Sequence, residues 1–114
     1  MAISNSTIGT GNTLIYDSVN SNAITTIIVC NTATFNANSP IDGQTNLYMY
    51  AVPAAEVSGT LTQPKHTIVN GLPIPAGETV SFDQEKIVLA NGDRLIAKSD
   101  SPANLVITLS TLVV

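Results

Sequence analysis

The chain reads IVLANGDRLIAKSDSPANLVITLSTLV from residue 87 to residue 113. Three short runs of aliphatic and β-branched residues are separated here by Asn91-Gly92 and by a segment around Pro102. Such runs, bounded by turn-forming residues, are typical of β-strands. Asn-Gly between two apolar runs predicts a tight hairpin with Gly92 at positive φ.

The same pattern continues towards the N-terminus, and no stretch shows the 3.6-residue period of an amphipathic helix. The predicted strands span residues 13–19, 23–32, 45–52, 66–69, 78–82, 87–89, 94–99 and 105–113. About eight strands at this spacing predict an all-β fold, an antiparallel two-sheet sandwich of jelly-roll-like form. We expect residues 1–12 to form a flexible N-terminal arm and residues 13–114 to form a single β-sandwich domain.

The composition favours contact with other proteins. Of 114 residues, 44% are hydrophobic and only 11% are charged, against a usual charged share of about 25%. Thr, Ser and Asn supply much of the remaining polarity, and a weakly charged surface is easier to bury against a neighbour. No apolar run approaches the roughly 20 residues that span a bilayer, and the first residues lack the features of a signal peptide. We expect no membrane partner and no secretion by that route.

The residues that carry chemistry are sparse. A nucleophilic triad or a zinc site needs several close ligands or proton carriers, but the chain has one His, His66, and one Cys, Cys30. We predict that Cys30 is a buried free thiol, and that Asp83 and Glu85 are solvated turn residues, not a glycosidase pair. The four basic residues are scattered, which argues against nucleic-acid binding: Lys65, Lys86, Arg94 and Lys98. These patterns predict no enzymatic activity, no cofactor and no metal.

Some strands carry apolar residues on both faces, where a free sandwich should have one wet face. Ile27 and Val29 share one face of the second predicted strand. The second cover is either another subunit or a loop of the same chain. Tyr48 and Tyr50 alternate along the third strand, either as an exposed strip for a partner or glycan or as outer-layer packing. The candidate interface residues are Ile27, Val29, Tyr48, Tyr50, Leu112 and Val114.

Several motifs carry a resemblance to a known group. They are IPAGETVSF at 74–82, KIVL at 86–89, NGDRLIA at 91–97, TTIIVCNT at 25–32 and LYMYAVP at 47–53. Together they resemble small virion structural proteins of tailed bacteriophages, especially those of marine and cyanobacterial hosts. The motifs are turn and core positions, so the resemblance carries over no functional residue.

The resemblance implies a structural protein located in the virion and made in the host cytoplasm. Because the chain shows no repeats or stalk, a capsid decoration (cement) role is expected first, with a neck, tail or baseplate role as the alternative. A carbohydrate-binding module is a further alternative. The expected partners are further copies of the chain, with a trimer as the first guess, and a larger capsid or tail protein.

Overall fold

A computed structural model of the protein describes residues 2–56, 62–83 and 86–114. The described chain is all-β, with two antiparallel sheets packed face to face. The strands are β1 Ala2–Thr7, β2 Thr13–Asp17, β3 Asn22–Asn31, β4 Thr45–Val52, β5 Thr67–Ile74, β6 Thr79–Phe82, β7 Ile87–Leu89, β8 Arg94–Ser99 and β9 Leu105–Val113. The described part of the connection between β4 and β5 contains the 3-10 turns Ala54–Glu56 and Pro64–His66. The predicted sandwich is therefore confirmed.

The strand order is that of a jelly roll. One sheet has the order β1-β9-β3, with β6 and β7 following one another along the free side of β3, and the other has the order β2-β8-β4-β5. From β1 to β4 the chain changes sheets at every strand. The strands β4 and β5 are neighbours in the same sheet, and after β5 the chain again changes sheets at each step, if β6 and β7 are counted as one interrupted strand. Connections that pass from one sheet to the other place the two sheets face to face, so that each buries its inner side against the other.

The first strand was not expected. Residues 2–7 belong to β1, which pairs antiparallel with β9 from Ala2↔Thr111 to Thr7↔Val106, so the prediction of a flexible arm over residues 1–12 is wrong. Its sequence, AISNST, has no alternating apolar face. The strand is held by backbone hydrogen bonds to β9, and Ile8 directly after it is fully buried.

The core fills the space between the two sheets. Its largest fully buried side chains come from both sheets and from the chain just after β1: Ile8, Ile24, Leu47, Met49, Ile74, Leu95, Leu105, Ile107 and Leu109. The inner residues of β4, β8 and β9 follow the simple alternation expected of strands. At about 25 cal/mol per Å² of buried apolar surface, this layer is the main source of stability.

A β-bulge changes which residues of β3 face this core. The register with β9 shifts between Ile24 and Thr26, so Ile24 shares the inner face with Ile27 and Val29. The side chains of Ile27 and Val29 are 3% and 0% exposed. Their assignment to an interface is wrong, because the extra residue of the bulge reverses the alternation that the sequence pattern suggested.

The turn at Asn91-Gly92 is real but it is not a hairpin. Gly92 has φ 89°, as predicted, and Asp93 N–H donates to Ala90 C=O at 3.1 Å. However, β7 and β8 belong to different sheets, so the turn is a corner that carries the chain across the sandwich. An Asn-Gly pair predicts a tight turn, but it does not predict whether the two flanking strands pair with each other.

Asn31 ties three segments together at the end of β3. Its side chain is 1% exposed. The amide nitrogen donates to the carbonyl oxygens of Gly43 at 2.8 Å and Ile74 at 2.9 Å. The amide oxygen accepts from Ala33 N–H at 3.0 Å. One buried amide thus anchors both the loop after β3 and the end of β5.

Candidate interaction surface

The outer side of the β1-β9-β3-β6/β7 sheet forms a flat surface that we call the neutral face. Its members follow from the pairing registers, since residues opposite each other in a ladder point to the same side of a sheet. The rows across the strands are Thr7, Val106, Cys30 and Thr79; then Asn5, Thr108, Ile28 and Ser81; then Ile3, Ser110 and Thr26; then Leu112, Ala23 and Val88.

No residue of the neutral face is Asp, Glu, Lys or Arg. Its exposed aliphatic side chains are Ile3, Ile28, Val88 and Leu112, with exposed fractions of 74%, 38%, 66% and 43%. Short hydroxyl and amide side chains surround them, and Thr108 Oγ1 donates to Asn5 Oδ1 at 2.8 Å across the face. An uncharged mixture of aliphatic and small polar groups has a low desolvation cost on contact with another protein.

Two charged residues lie at the margin of this face, between β6 and β7: the exposed Asp83 and Lys86. The ammonium group of Lys86 donates to the backbone carbonyls of Thr25, at 2.8 Å, and Asp83. These contacts hold the charge beside the gap between β6 and β7. A partner approaching the neutral face therefore meets no charged side chain on the five strands themselves.

The two tyrosines lie on the outer side of the other sheet and have different environments. Tyr50 is 9% exposed and packs with Val52 and Ile96 in a second small apolar cluster. Tyr48 is partly exposed, with the Lys98 ammonium 5.1 Å from its ring centroid and its hydroxyl donating to Asp100 Oδ2 at 3.3 Å. Desolvation, and then the Asp100 carboxylate, raise the pKa of the Tyr48 phenol, so it remains neutral. The pair is therefore outer-layer packing, not an exposed aromatic strip.

The remaining candidate interface residues are separated from the tyrosines. Leu112 lies on the neutral face, opposite Ala23. Val114 follows β9 and is 62% exposed, with its N–H donating to Ser21 C=O at 3.1 Å. Of the six candidates, two are core, two lie on the opposite sheet, and Leu112 alone belongs to the neutral face.

Two exposed residues of the neutral face, Ile3 and Ile28, are absent from the candidates that the sequence predicts. Ile3 was assigned to an arm, and Ile28 was paired with the wrong face of β3 because of the bulge. The signal for the rest was present, since Val106, Thr108, Ser110 and Leu112 alternate with the core residues of β9. The prediction that Cys30 is buried is also wrong: it is a free, half-buried thiol on the neutral face.

His66 has a structural environment. Its side chain is buried, its Nδ1 accepts from Gln63 N–H at 3.1 Å, and its Nε2 lies 3.6 Å from Glu56 Oε1. Lys65 also pairs with Glu56, and this hydrogen bond holds the pKa of the Glu56 carboxyl below its usual range. The group ties the two 3-10 turns together.

The clefts carry no catalytic constellation in the part of the chain that the structure describes. A cleft of about 400 Å³ is lined by Tyr50, Thr62, Gln63, Pro64, Thr67 and Asn70. An apolar cleft of about 280 Å³ between the sheets is lined by Ile27, Met49, Ile68, Val69, Phe82 and Ile87. Neither lining pairs a nucleophile with a base. Of the predicted turn carboxylates, Asp83 is exposed and Glu85 lies outside the described residues.

Comparison of the chain with models of protein families, with curated proteins and with solved structures found no match. Over the described ranges, no His, Cys, Asp and Glu side chains form a group of three or more that could hold a metal ion. No helical segment among these residues has the length and apolar character needed to cross a membrane. A functional proposal therefore depends on the fold, the neutral face and the sequence resemblance.

Proposed function

We propose that the protein is a non-enzymatic structural component of a tailed-bacteriophage virion, most simply a capsid decoration protein that docks on a larger shell protein through its neutral face. The observation that carries the proposal is the lack of any charged residue on the five strands of this sheet, β1, β9, β3, β6 and β7. A neck, tail or baseplate position would use the same surface in the same way.

The fold supports a role in assembly. Jelly rolls occur in viral capsid proteins, and also in lectins, so the fold alone does not choose between a shell and a sugar. A sugar-binding surface needs an exposed aromatic ring on which a pyranose can stack. Tyr50 is buried and the ring of Tyr48 contacts Lys98, so these two rings form no stacking platform. Phe35, in the loop after β3, is 53% exposed, and the carbohydrate-binding alternative depends on this single ring.

The size of the neutral face suits a protein that is bound in many copies on a repeating partner surface. Strands lie about 4.8 Å apart and successive rows about 7 Å apart, so the face covers roughly 500 Å². A stable interface between two proteins buries about 800 Å² on each partner. A single copy would therefore bind weakly, and additional contact area between neighbouring copies would strengthen the assembly.

The direct test is mass spectrometry of purified phage particles that have been separated into heads and tails. The proposal expects the protein in the head fraction at a constant ratio to the major shell protein. Detection in the tail fraction alone would favour the neck, tail or baseplate alternative. Absence from particles, with the protein present in the infected cell, would contradict a virion role.

A further inference from the structure

The two sheets, as far as the described residues show them, have four open strand edges, and three of these are protected against pairing with another chain. The β2 edge is bulged between Leu14 and Tyr16 and ends at the charged Asp17. The β5 edge contains Gly71 at φ 76° and Pro73. The third edge is divided into β6 and β7, with Lys86 beside the division. Bulges, prolines, charges and short strands are the usual means of preventing edge-to-edge association.

The β1 edge has none of these protections. Ala2–Thr7 contains no charge, no proline and no glycine, and its register with β9 runs without a shift. No other described strand pairs with its free side. A regular, neutral, unprotected edge is a template for another strand.

The geometry also shows which backbone groups this edge presents. Ile8 N–H donates to Leu105 C=O at 2.9 Å. Because hydrogen-bonded pairs alternate along an antiparallel ladder, Ser6 and Ser4 also direct their N–H and C=O groups towards β9. The N–H and C=O groups of Ile3, Asn5 and Thr7 therefore point to the free side.

We propose that a second copy of this chain pairs with the first through β1, antiparallel and about a two-fold axis at Asn5. In this register Ile3 lies opposite Thr7 of the other copy, and each Asn5 lies opposite the other. About six backbone hydrogen bonds would form, and no like charges would meet because the strand has none. This inference rests on the proposed function only in its expectation that copies of the chain associate. The expected oligomer is a two-fold dimer, in place of the trimer that is the first guess from the sequence.

Edge pairing of this kind has a consequence for the neutral face. It joins the outer sides of two sheets into one continuous uncharged surface of roughly 1,000 Å², which exceeds the usual area per partner. The dimer would therefore bind a shell that a single copy binds weakly. The pairing itself does not depend on where the dimer binds.

The test compares the oligomeric state of the full chain with that of Asn5→Pro and Asn5→Ala by sedimentation equilibrium. Proline removes the central outward N–H, at a position where edge strands tolerate it, and alanine removes only the side-chain contact with Thr108. We expect the unmodified chain and Asn5→Ala to be dimers, and Asn5→Pro to dimerise at least tenfold more weakly. A monomer or trimer for the unmodified chain at high micromolar concentration would overturn the proposal, as would an unweakened Asn5→Pro dimer.

Hydrogen exchange of the unmodified chain gives a second readout that does not depend on folding of the proline variant. The amides of Ile3, Asn5 and Thr7 should become protected as concentration rises, while those of Ser4 and Ser6 are protected throughout. Fast exchange of the three outward amides in a proven dimer would show that the dimer uses another surface. Neither readout involves phage particles, so failure here is separate from failure of the virion role.

Discussion

Asn31→Asp should lower the free energy of unfolding by about 3–5 kcal/mol at neutral pH, the usual cost of an uncompensated buried charge. The wild-type amide nitrogen donates to the carbonyls of Gly43 and Ile74. A carboxylate has the same shape but no donor, so its oxygen would face two carbonyl oxygens inside the protein. Chemical denaturation monitored by far-UV circular dichroism measures the effect.

The pH dependence of this variant provides an internal control. Burial next to carbonyls disfavours the charged form, so the folded state raises the pKa of the introduced carboxyl. The penalty is therefore present above that pKa and falls as the pH is lowered and the group is protonated. Asn36→Asp, at an exposed loop position, should change stability little. Equal effects of the two substitutions would show that Asn31 does not anchor the β3 and β5 ends as described.

Ile28→Asp should weaken binding to phage particles that lack the protein by at least about 30-fold. Ile28 lies in the middle of the neutral face between Thr108 and Ser81. Burying an unpaired charge at a protein contact costs about 2–5 kcal/mol, and 2 kcal/mol corresponds to roughly 30-fold in affinity. The measurement is the number of copies bound per particle as a function of added protein.

Two further variants test whether a loss of binding by Ile28→Asp comes from the neutral face or from the added charge in general. Ile41→Asp adds the same charge at a 72% exposed aliphatic residue in the loop after β3, and should bind like the unmodified protein. Ile28→Lys should bind as weakly as Ile28→Asp if the partner surface is neutral. Tighter binding of Ile28→Lys would mean an acidic partner surface, which contradicts a neutral contact.

Sequence patterns predicted the strands that carry a clear alternation or sharp turn signals at both ends. The predicted bounds 45–52, 87–89, 94–99 and 105–113 match β4, β7, β8 and β9. The strand β1 was missed because its side chains are polar and its stability comes from the β9 backbone. Pairing between the two ends of a chain leaves no local signal in such a segment.

The sequence predicted only part of the candidate surface, and the reason is the β-bulge in β3. A β-bulge inserts one residue and reverses the faces of everything after it, so the apolar run at Ile27–Val29 could not be divided correctly between core and surface. The sequence assigns the outer residues of β9 to the correct face, because buried and less buried residues alternate regularly along that strand. The uncharged character of the face depends on five strands from separate parts of the chain, and it becomes visible only once their order is known.

Thiol labelling of Cys30 tests most directly whether the neutral face is the assembly surface. Cys30 is the single cysteine and lies on this face between Val106 and Thr79, away from the β1 edge. It should react with a maleimide in the isolated protein and at least tenfold more slowly on the particle. A Cys30→Ser/Asn70→Cys variant, with its thiol on the opposite sheet, should react equally in both states. Unchanged labelling of Cys30 on fully occupied particles, with protection of the Asn70 position instead, would contradict the account.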